Sequence, residues 1–383
     1  MAVMKKIGLW LLALSVAAAS LAVTGSLLLA VLQISGVAEG RAGTAAVDVA
    51  IMDRYDMYMT NQVSDALDGV LAIEKYYWLS DDDVVAPEPN QACFGTTDDP
   101  STMGWFLEKA RELLGVEDTL FTTETVIAKG SEVMYYLDET IMAITWKFPV
   151  NDCMYTVSEV KLAHPSQFRR FLSGGAYGSE KQLLTTEMAA SVNAVVASSG
   201  DFYAHRRMGV IVYDGVVQRT HSKLIDTCYI DDKGDLLFSY RGELQNHTEA
   251  QNFVDENAIR FSVAFGPVLV ENGVARPAKD YADYEMGAVK NEHSRIALCQ
   301  RGPLHYFVAI AGQDFKLNCY RLITLAEFQK QIVAMGCEKA YTMDGGQTAT
   351  LVMNDQLINM PSYNSERNIS DIIYFATAIP NGE

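Results

Sequence analysis

No C-x-x-C pair, no His-Glu-x-x-His and no glycine-rich phosphate-cradling loop occurs anywhere in this sequence. Zinc-site spacing, zinc-protease chemistry and nucleotide binding lose their usual marks with them. A Gly-x-Ser-x-Gly elbow is missing as well, which removes the main sign of a serine hydrolase. Basic residues are scarce, 30 Lys and Arg against 48 Asp and Glu, for a net charge of −18. A surface of that sign repels polyphosphate, so nucleic acid is not an expected partner. Cysteine is thin too: six residues, Cys93, Cys153, Cys228, Cys299, Cys319 and Cys337, are spread over 383 positions. That density permits disulfides without demanding them, and buried free thiols fit equally well.

Half of the chain is hydrophobic, and one part of that is concentrated at the start. Lys5 and Lys6 precede a run without charge over residues 7–36. About 20 apolar residues cross the hydrocarbon layer, whereas the apolar region of a cleaved signal peptide spans about 7–15. The run therefore predicts an uncleaved transmembrane helix, with the lysines cytoplasmic and the rest of the chain extracytoplasmic. Residues 1–36 are read as a cytoplasmic stub and anchor. Residues 37–124 are read as a helical stalk and an irregular connector rich in Pro, Asp and Gly. Within the connector, Ser101 is expected to cap a helix whose broad face carries Trp105, Leu107, Ala110, Leu113 and Leu114.

From residue 125 to 383 the pattern is that of one α+β domain, a mixed, largely antiparallel sheet with hairpins and packed helices. TIMAITWKFPV and YTVSEVKLA predict strands, HPSQFRRFL a short helix, and TTEMAASVNAVVASSGD a helix with Met188, Val192 and Val196 on one side. Asp214-Gly215, Asn272-Gly273 and Asn354-Asp355 each sit between strand-like runs, and Asn-Gly or Asp-Gly suits a tight hairpin turn. The best-specified helix is TLAEFQKQIVAMG. Thr324 and Glu327 form a capping box, Ile323 can staple onto Phe328, and Gly336 stands where a C-terminal cap is expected.

Three stretches end apolar segments on groups able to do chemistry. Asp344-Gly345-Gly346 follows one strand-like run and precedes another, and glycines let a ligand approach the backbone closely. Ser198-Ser199-Gly200-Asp201 repeats that grammar, with His205, Arg206 and Arg207 close behind. Glu366-Arg367 stands before the last apolar strand, and Arg295 opens another. A guanidinium grips phosphate or carboxylate with a planar fork. Taken singly, each stretch reads by default as a polar turn or a surface ion pair.

Taken in order, they resemble the phosphodiester glycosidase family, whose bacterial members include exopolysaccharide-related surface proteins. MDGGQTATLVMNDQLINMPSYNSERNISDIIYF is similar to its C-terminal signature, Phe265-Gly266-Pro267 to its Phe-Gly-Pro segment, and Ser199-Gly200-Asp201-Phe202-Tyr203 to its earlier Asn-Gly motif. The resemblance spans about residues 130–380. The sequence departs from the pattern at Ser199, where the family usually has Asn, and at Gln347, where it has a third glycine.

The resemblance implies a substrate in which a sugar is joined through its anomeric oxygen to a phosphodiester. It implies Asp344 as the main catalytic carboxylate, Asp201 as its partner and Glu366 as an acid/base candidate. Arg295, Arg367 and Arg206 would hold the phosphate or orient the carboxylates, and Gly200, Gly345 and Gly346 would give the ligand backbone room. No cofactor or metal is implied. The expected activity is a membrane-anchored extracytoplasmic glycosidase acting on a surface or exopolysaccharide glycan. The rival is a glycan-binding or polysaccharide-assembly protein on the same fold.

Overall fold

The computed structural model describes residues 85–379 except 202, 205–206 and 285–288. The predicted anchor and stalk, and Arg206, therefore lie outside the described residues. Among the described residues no helix is long and apolar enough to cross a membrane. The described residues belong to one compact unit, Leu79–Glu383.

A nine-stranded sheet organises that unit. Its strands run in the order Phe94–Thr97, Val133–Leu137, Ile141–Val150, Cys153–Leu162, His305–Gly312, Arg295–Gly302, Lys339–Thr342, Val268–Glu271 and Val274–Ala275. A five-stranded sheet is ordered Gln356–Leu357, Leu351–Met353, Val196–Ser199, Asp371–Phe375 and Phe168–Leu172. Leu236–Ser239, Thr227–Asp231 and Ile259–Val263 make a third sheet, and Gly209–Tyr213 pairs with Val216–His221. Every pairing of these strands is antiparallel. The expected α+β class holds, as four antiparallel sheets rather than one.

Side chains alternate faces along a strand, so a strand apolar at every position is buried on both sides. Strand Arg295–Gly302 is of this kind over its apolar middle, Ile296 to Cys299, all four residues being buried. Ala297 and Cys299 face a core shared with Phe106, Tyr155, Phe307, Phe328 and Ile332. Ile296 and Leu298 face the opposite core with Phe168, Val196, Tyr306, Leu351 and Phe375. Helices Gly104–Leu114 and Leu325–Ala334 cover the first face, and the five-stranded sheet covers the second. Helix Thr185–Ser191 packs on the far side of the five-stranded sheet through Met188, Ala189, Ile372 and Tyr374. Each fully buried aliphatic side chain contributes about 1.5–3 kcal/mol, so a strand buried on both faces is a strong register lock.

The hairpins form as expected, with Asp214 and Gly215 at φ 50° and 70°, Asn272 and Gly273 at 52° and 72°, and Asn354 and Asp355 at 48° and 59°. Thr324 and Glu327 cap their helix reciprocally, and Gly336 leaves it at φ 74°. Three local expectations are corrected. Phe168–Leu172 is a strand, preceded only by a 3-10 turn over Pro165–Gln167. The helix before Val196 stops at Ser191, Asn193 takes φ 57°, and Val196 opens a strand. At residue 101 the cap is Asp99, whose carboxylate accepts the Ser101 amide; the following helix buries Phe106 and Ala110 and leaves Trp105 and Leu113 exposed. Leu107, Ala110 and Leu114 pack on the core as expected, joined by Phe106, whose ring meets Tyr135 edge-on at 5.1 Å between centroids. All six cysteines are free thiols, and all but Cys93 are buried.

Candidate active site

Strand Lys339–Thr342 lies between Arg295–Gly302 and Val268–Glu271, with Thr342 opposite Ala297. The ladder continues one step beyond the strand, where the Met343 amide donates to the Ile296 carbonyl at 3.1 Å. Asp344 is the first residue to leave. Its departure point is set by two neighbours fixed in the sheet, so the carboxylate stands on a rigid support.

The loop after Asp344 is pressed against the start of the adjacent strand. A Cβ on Gly345 would lie 2.1 Å from the Ser294 carbonyl oxygen. Gly346 takes φ 72°, donates its amide to that same oxygen at 3.2 Å, and leaves no room for a Cβ beside the His293 ring at 2.8 Å. The Thr348 hydroxyl donates back to the Gly345 carbonyl at 2.8 Å. The glycines are thus required by close backbone approach and, at Gly346, by the left-handed conformation. Gly345→Ala is expected to destabilise the protein by about 2 kcal/mol or more, since the obstacle is backbone that cannot rotate away. A melting temperature within 1–2 °C of wild type, measured by calorimetry, would contradict this close approach.

A cleft of about 610 Å³ opens over this loop, lined by Asp344, Gly345, Gly346, Gln347, His293 and Arg367, with Gln313, Phe315, Leu322, Ser362 and Tyr363 on its rim. Its size falls in the range of small-molecule sites. Arg367 Nη2 lies 3.3 Å from Asp344 Oδ2, and both side chains keep contact with solvent, 42% and 21% exposed. The Ser294 and Ser362 hydroxyls, 3.1 Å apart, tie the loop carrying Arg367 to the segment carrying His293. His293 Nδ1 accepts the Ser294 amide at 3.1 Å, so the neutral ring carries its proton on Nε2. Burial, aided by the nearby Arg295 charge, pushes the His293 pKa down and favours that neutral form. The cleft therefore combines one carboxylate, one guanidinium, a neutral imidazole and exposed backbone.

The other expected residues have different surroundings. Glu366 accepts from the amide and hydroxyl of Thr186, at 3.3 and 2.8 Å, and so caps helix Thr185–Ser191. Arg295 is buried and donates to the carbonyls of Ile323 and Asn291, and desolvation pulls its pKa down to about 10. Neither lines the cleft.

Asp201 is buried, accepts the Ala264 amide at 2.8 Å and stands 3.5 Å from Arg170 Nη2. Arg170 Nε also meets Asp371 Oδ2 at 2.6 Å, so two acids share one buried guanidinium, over which the Tyr203 ring lies at 5.6 Å. Gly200 belongs to this cluster: its Cβ would strike Asp371 Oδ2 at 2.6 Å. Burial pushes the Asp201 carboxyl up to about 7, against the pull of Arg170. Asp201 and Gly200 are likewise outside the cleft lining.

Sequence reasoning passed over His293, Phe315, Tyr363, Arg170 and Asp371. His293 had a weak signal, a histidine two residues before a strand adjacent to the Asp344 strand. Arg170 and Asp371 had a better one, charges embedded in or opening strands of otherwise apolar character. Among the described residues, no group of three or more His, Cys, Asp or Glu is placed to hold a metal ion.

No curated protein matches the sequence. Among solved structures, a hypothetical protein from Synechocystis superposes with a TM-score of 0.51 at 12% identity, over 64% of this chain and 64% of that one. The chain thus covers less than two thirds of that protein's length, and the likeness is one of fold. The catalytic domain of zebrafish N-acetylglucosamine-1-phosphodiester alpha-N-acetylglucosaminidase, auto-inhibited by its pro-peptide, gives a TM-score of 0.49 at 17% identity, over 70% of this chain and 92% of that domain. The family model for phosphodiester glycosidase (NAGPA) matches residues 192–376, which include the Asp344 loop, His293 and Arg367. The chain is thus similar to the phosphodiester glycosidase family over residues 192–376, a little under half of its length.

Proposed function

We propose that the protein hydrolyses the bond between a sugar's anomeric carbon and the oxygen of a phosphodiester in a cell-surface or exopolysaccharide glycan. The carrying observation is the Asp344 carboxylate beside the Arg367 guanidinium on a glycine-lined floor open to solvent. Cleavage of the C1–O bond develops positive charge on the sugar and negative charge on the departing phosphate. Asp344 meets the first and Arg367 the second. The Nε2 proton of His293 is a further donor to a phosphate oxygen. Water completes the reaction at C1, giving the free sugar and a phosphomonoester. A phosphate leaves readily, so one carboxylate and a cationic clamp serve where two carboxylates flank an ordinary glycosidic bond.

Asp201, Glu366 and Arg295 enter this scheme as positioning residues, acting through the elements they hold. The uncharged run at residues 7–36 supports placing the domain outside the membrane on an N-terminal anchor. The test is release of free sugar from a panel of sugar-1-phosphodiesters by the full chain, wild type beside Arg367→Gln. Turnover by wild type is expected, with Arg367→Gln raising KM about tenfold through loss of a charge-assisted contact. Binding of the panel without turnover would favour the rival, a glycan-binding or assembly protein.

A further inference from the structure

We propose that the rim of the cleft is a stacking platform for a neutral pyranose ring, with Phe315 and Tyr363 meeting its C–H faces and Gln313 and Gln347 meeting its hydroxyls. This deepens the glycosyl-phosphodiester reading and rests on it for the identity of the attached glycan.

The first support is exposure. Four large aromatic side chains among the described residues are exposed, and three of them, Phe315, Tyr320 and Tyr363, gather here. The Phe315 and Tyr320 rings stack at 5.7 Å with 27° between planes, and Tyr363 is 88% exposed. A cluster of apolar rings facing water beside a polar cleft marks a binding surface.

The second support is backbone conformation. Tyr363 holds φ 62° and ψ 15°, followed by Asn364 at φ 54°. A bulky L-residue in the left-handed region costs about 1–2 kcal/mol, and such conformations concentrate at ligand sites. The turn is held by the Asn364 amide on the Pro361 carbonyl at 2.9 Å and by the Ser362–Ser294 hydroxyl contact. The fold keeps the Tyr363 ring outward at this cost although the ring packs against little of the protein.

The third support is the chemistry of the wall. A pyranose has apolar C–H faces and a rim of hydroxyls, and the negative face of an aromatic ring suits the former. Gln313 donates an Nε2 proton to the Tyr320 carbonyl at 2.6 Å, and Gln347 donates one to Ser365 Oγ at 3.2 Å. Each amide is thereby oriented while keeping a second proton and an oxygen, the pair that a hydroxyl can both accept from and donate to. This gives Gln347, which replaces the family's third glycine, a recognition role.

The fourth support is charge. Aromatic rings also stack nucleobases, but a nucleoside diphosphate brings several negative charges to a chain of net −18. Among the described residues Arg367 is the single Lys or Arg lining the cleft, and Asp344 already lies 3.3 Å from it. One phosphodiester charge fits that balance, and the remainder of the ligand is expected to be neutral.

The test is saturation-transfer NMR on the full chain with neutral disaccharides of glucose, mannose and N-acetylglucosamine that carry no phosphodiester. Uridine and adenosine monophosphate serve as competitors. Transfer to ring C–H protons of at least one sugar is expected, falling about fivefold or more in Phe315→Ala and Tyr363→Ala and returning in Tyr363→Trp. Circular dichroism checks that each variant is folded. The proposal is overturned if no sugar binds, if binding survives both alanine variants, or if a nucleotide displaces the sugars at lower concentration. Because no hydrolysis is read, its failure is separate from failure of the glycosidase reading, which is judged by turnover of the phosphodiester panel.

Discussion

Asp344→Asn is expected to lower kcat on a sugar-1-phosphodiester by about three orders of magnitude while the melting temperature moves by no more than a degree or two. The substitution keeps the size of the side chain and an oxygen for Arg367, and it removes only the negative charge. In the ground state the sugar is neutral at C1, so the charge contributes little to substrate affinity. As the C1–O bond breaks, the oxocarbenium character grows and a nearby carboxylate is worth about 4 kcal/mol, which is a thousandfold in rate. An interaction made only in the transition state lowers kcat and kcat/KM together. The small effect on stability follows from exposure: Asp344 and Arg367 form a partly solvated pair, and such pairs contribute about 0–1 kcal/mol. Activity near wild type in Asp344→Asn would remove this residue from the chemistry and the proposed mechanism with it.

That a carboxylate stands at this point was legible in the sequence because the signals were local. The run before Asp344 ends at two glycines, the preceding helix is capped at both ends, and a hairpin turn follows. Each of these is fixed by neighbours within a few residues. The same holds for the Asp-Gly and Asn-Gly turns, whose backbone preference needs no distant partner. What escaped depends on pairing across the chain. FRRFL looks helical because two arginines and no β-branched residue stand in five positions. It is a strand because Arg170 finds Asp371, 201 residues away. His293 reaches the cleft because the strand that begins two residues after it lies beside the strand that leads into Asp344, with Ala297 opposite Thr342. Nothing in the local pattern says which strands are neighbours. Tyr363 was hidden for a different reason: in PSYNSE a tyrosine before Asn reads as an ordinary loop residue, and its left-handed conformation is a property of the closed turn.

Arg170→Met is expected to lower stability by about 3–5 kcal/mol, near 10 °C in melting temperature for a domain of this size, because it leaves two carboxyl groups buried without their cation. Arg170, Asp201 and Asp371 expose 1%, 0% and 0% of their side chains. Arg170 also donates to the Ser262 carbonyl, so its loss leaves an acceptor unmet as well. The pH dependence separates this cluster from generic packing. Burial raises the Asp201 pKa to about 7, and burial raises that of Asp371 too. In the unfolded chain an aspartate titrates near 3.9, so across the window from about 4 to 7 the folded state holds a proton that the unfolded state has released. The contribution is present in full below the window and is lost as pH rises through it. Asp201→Asn takes this titration away, and its melting temperature should fall less than that of wild type between pH 5 and 8. Arg170→Met removes the positive charge that restrains both acids, so its decline over the same range should be steeper. Other carboxylates add their own slopes, and the decisive quantity is therefore the difference between each variant and wild type in melts recorded at matched pH. Parallel curves for wild type and Asp201→Asn would mean that Asp201 keeps its charge throughout, held by the Arg170 guanidinium and the Ala264 amide strongly enough to outweigh its burial.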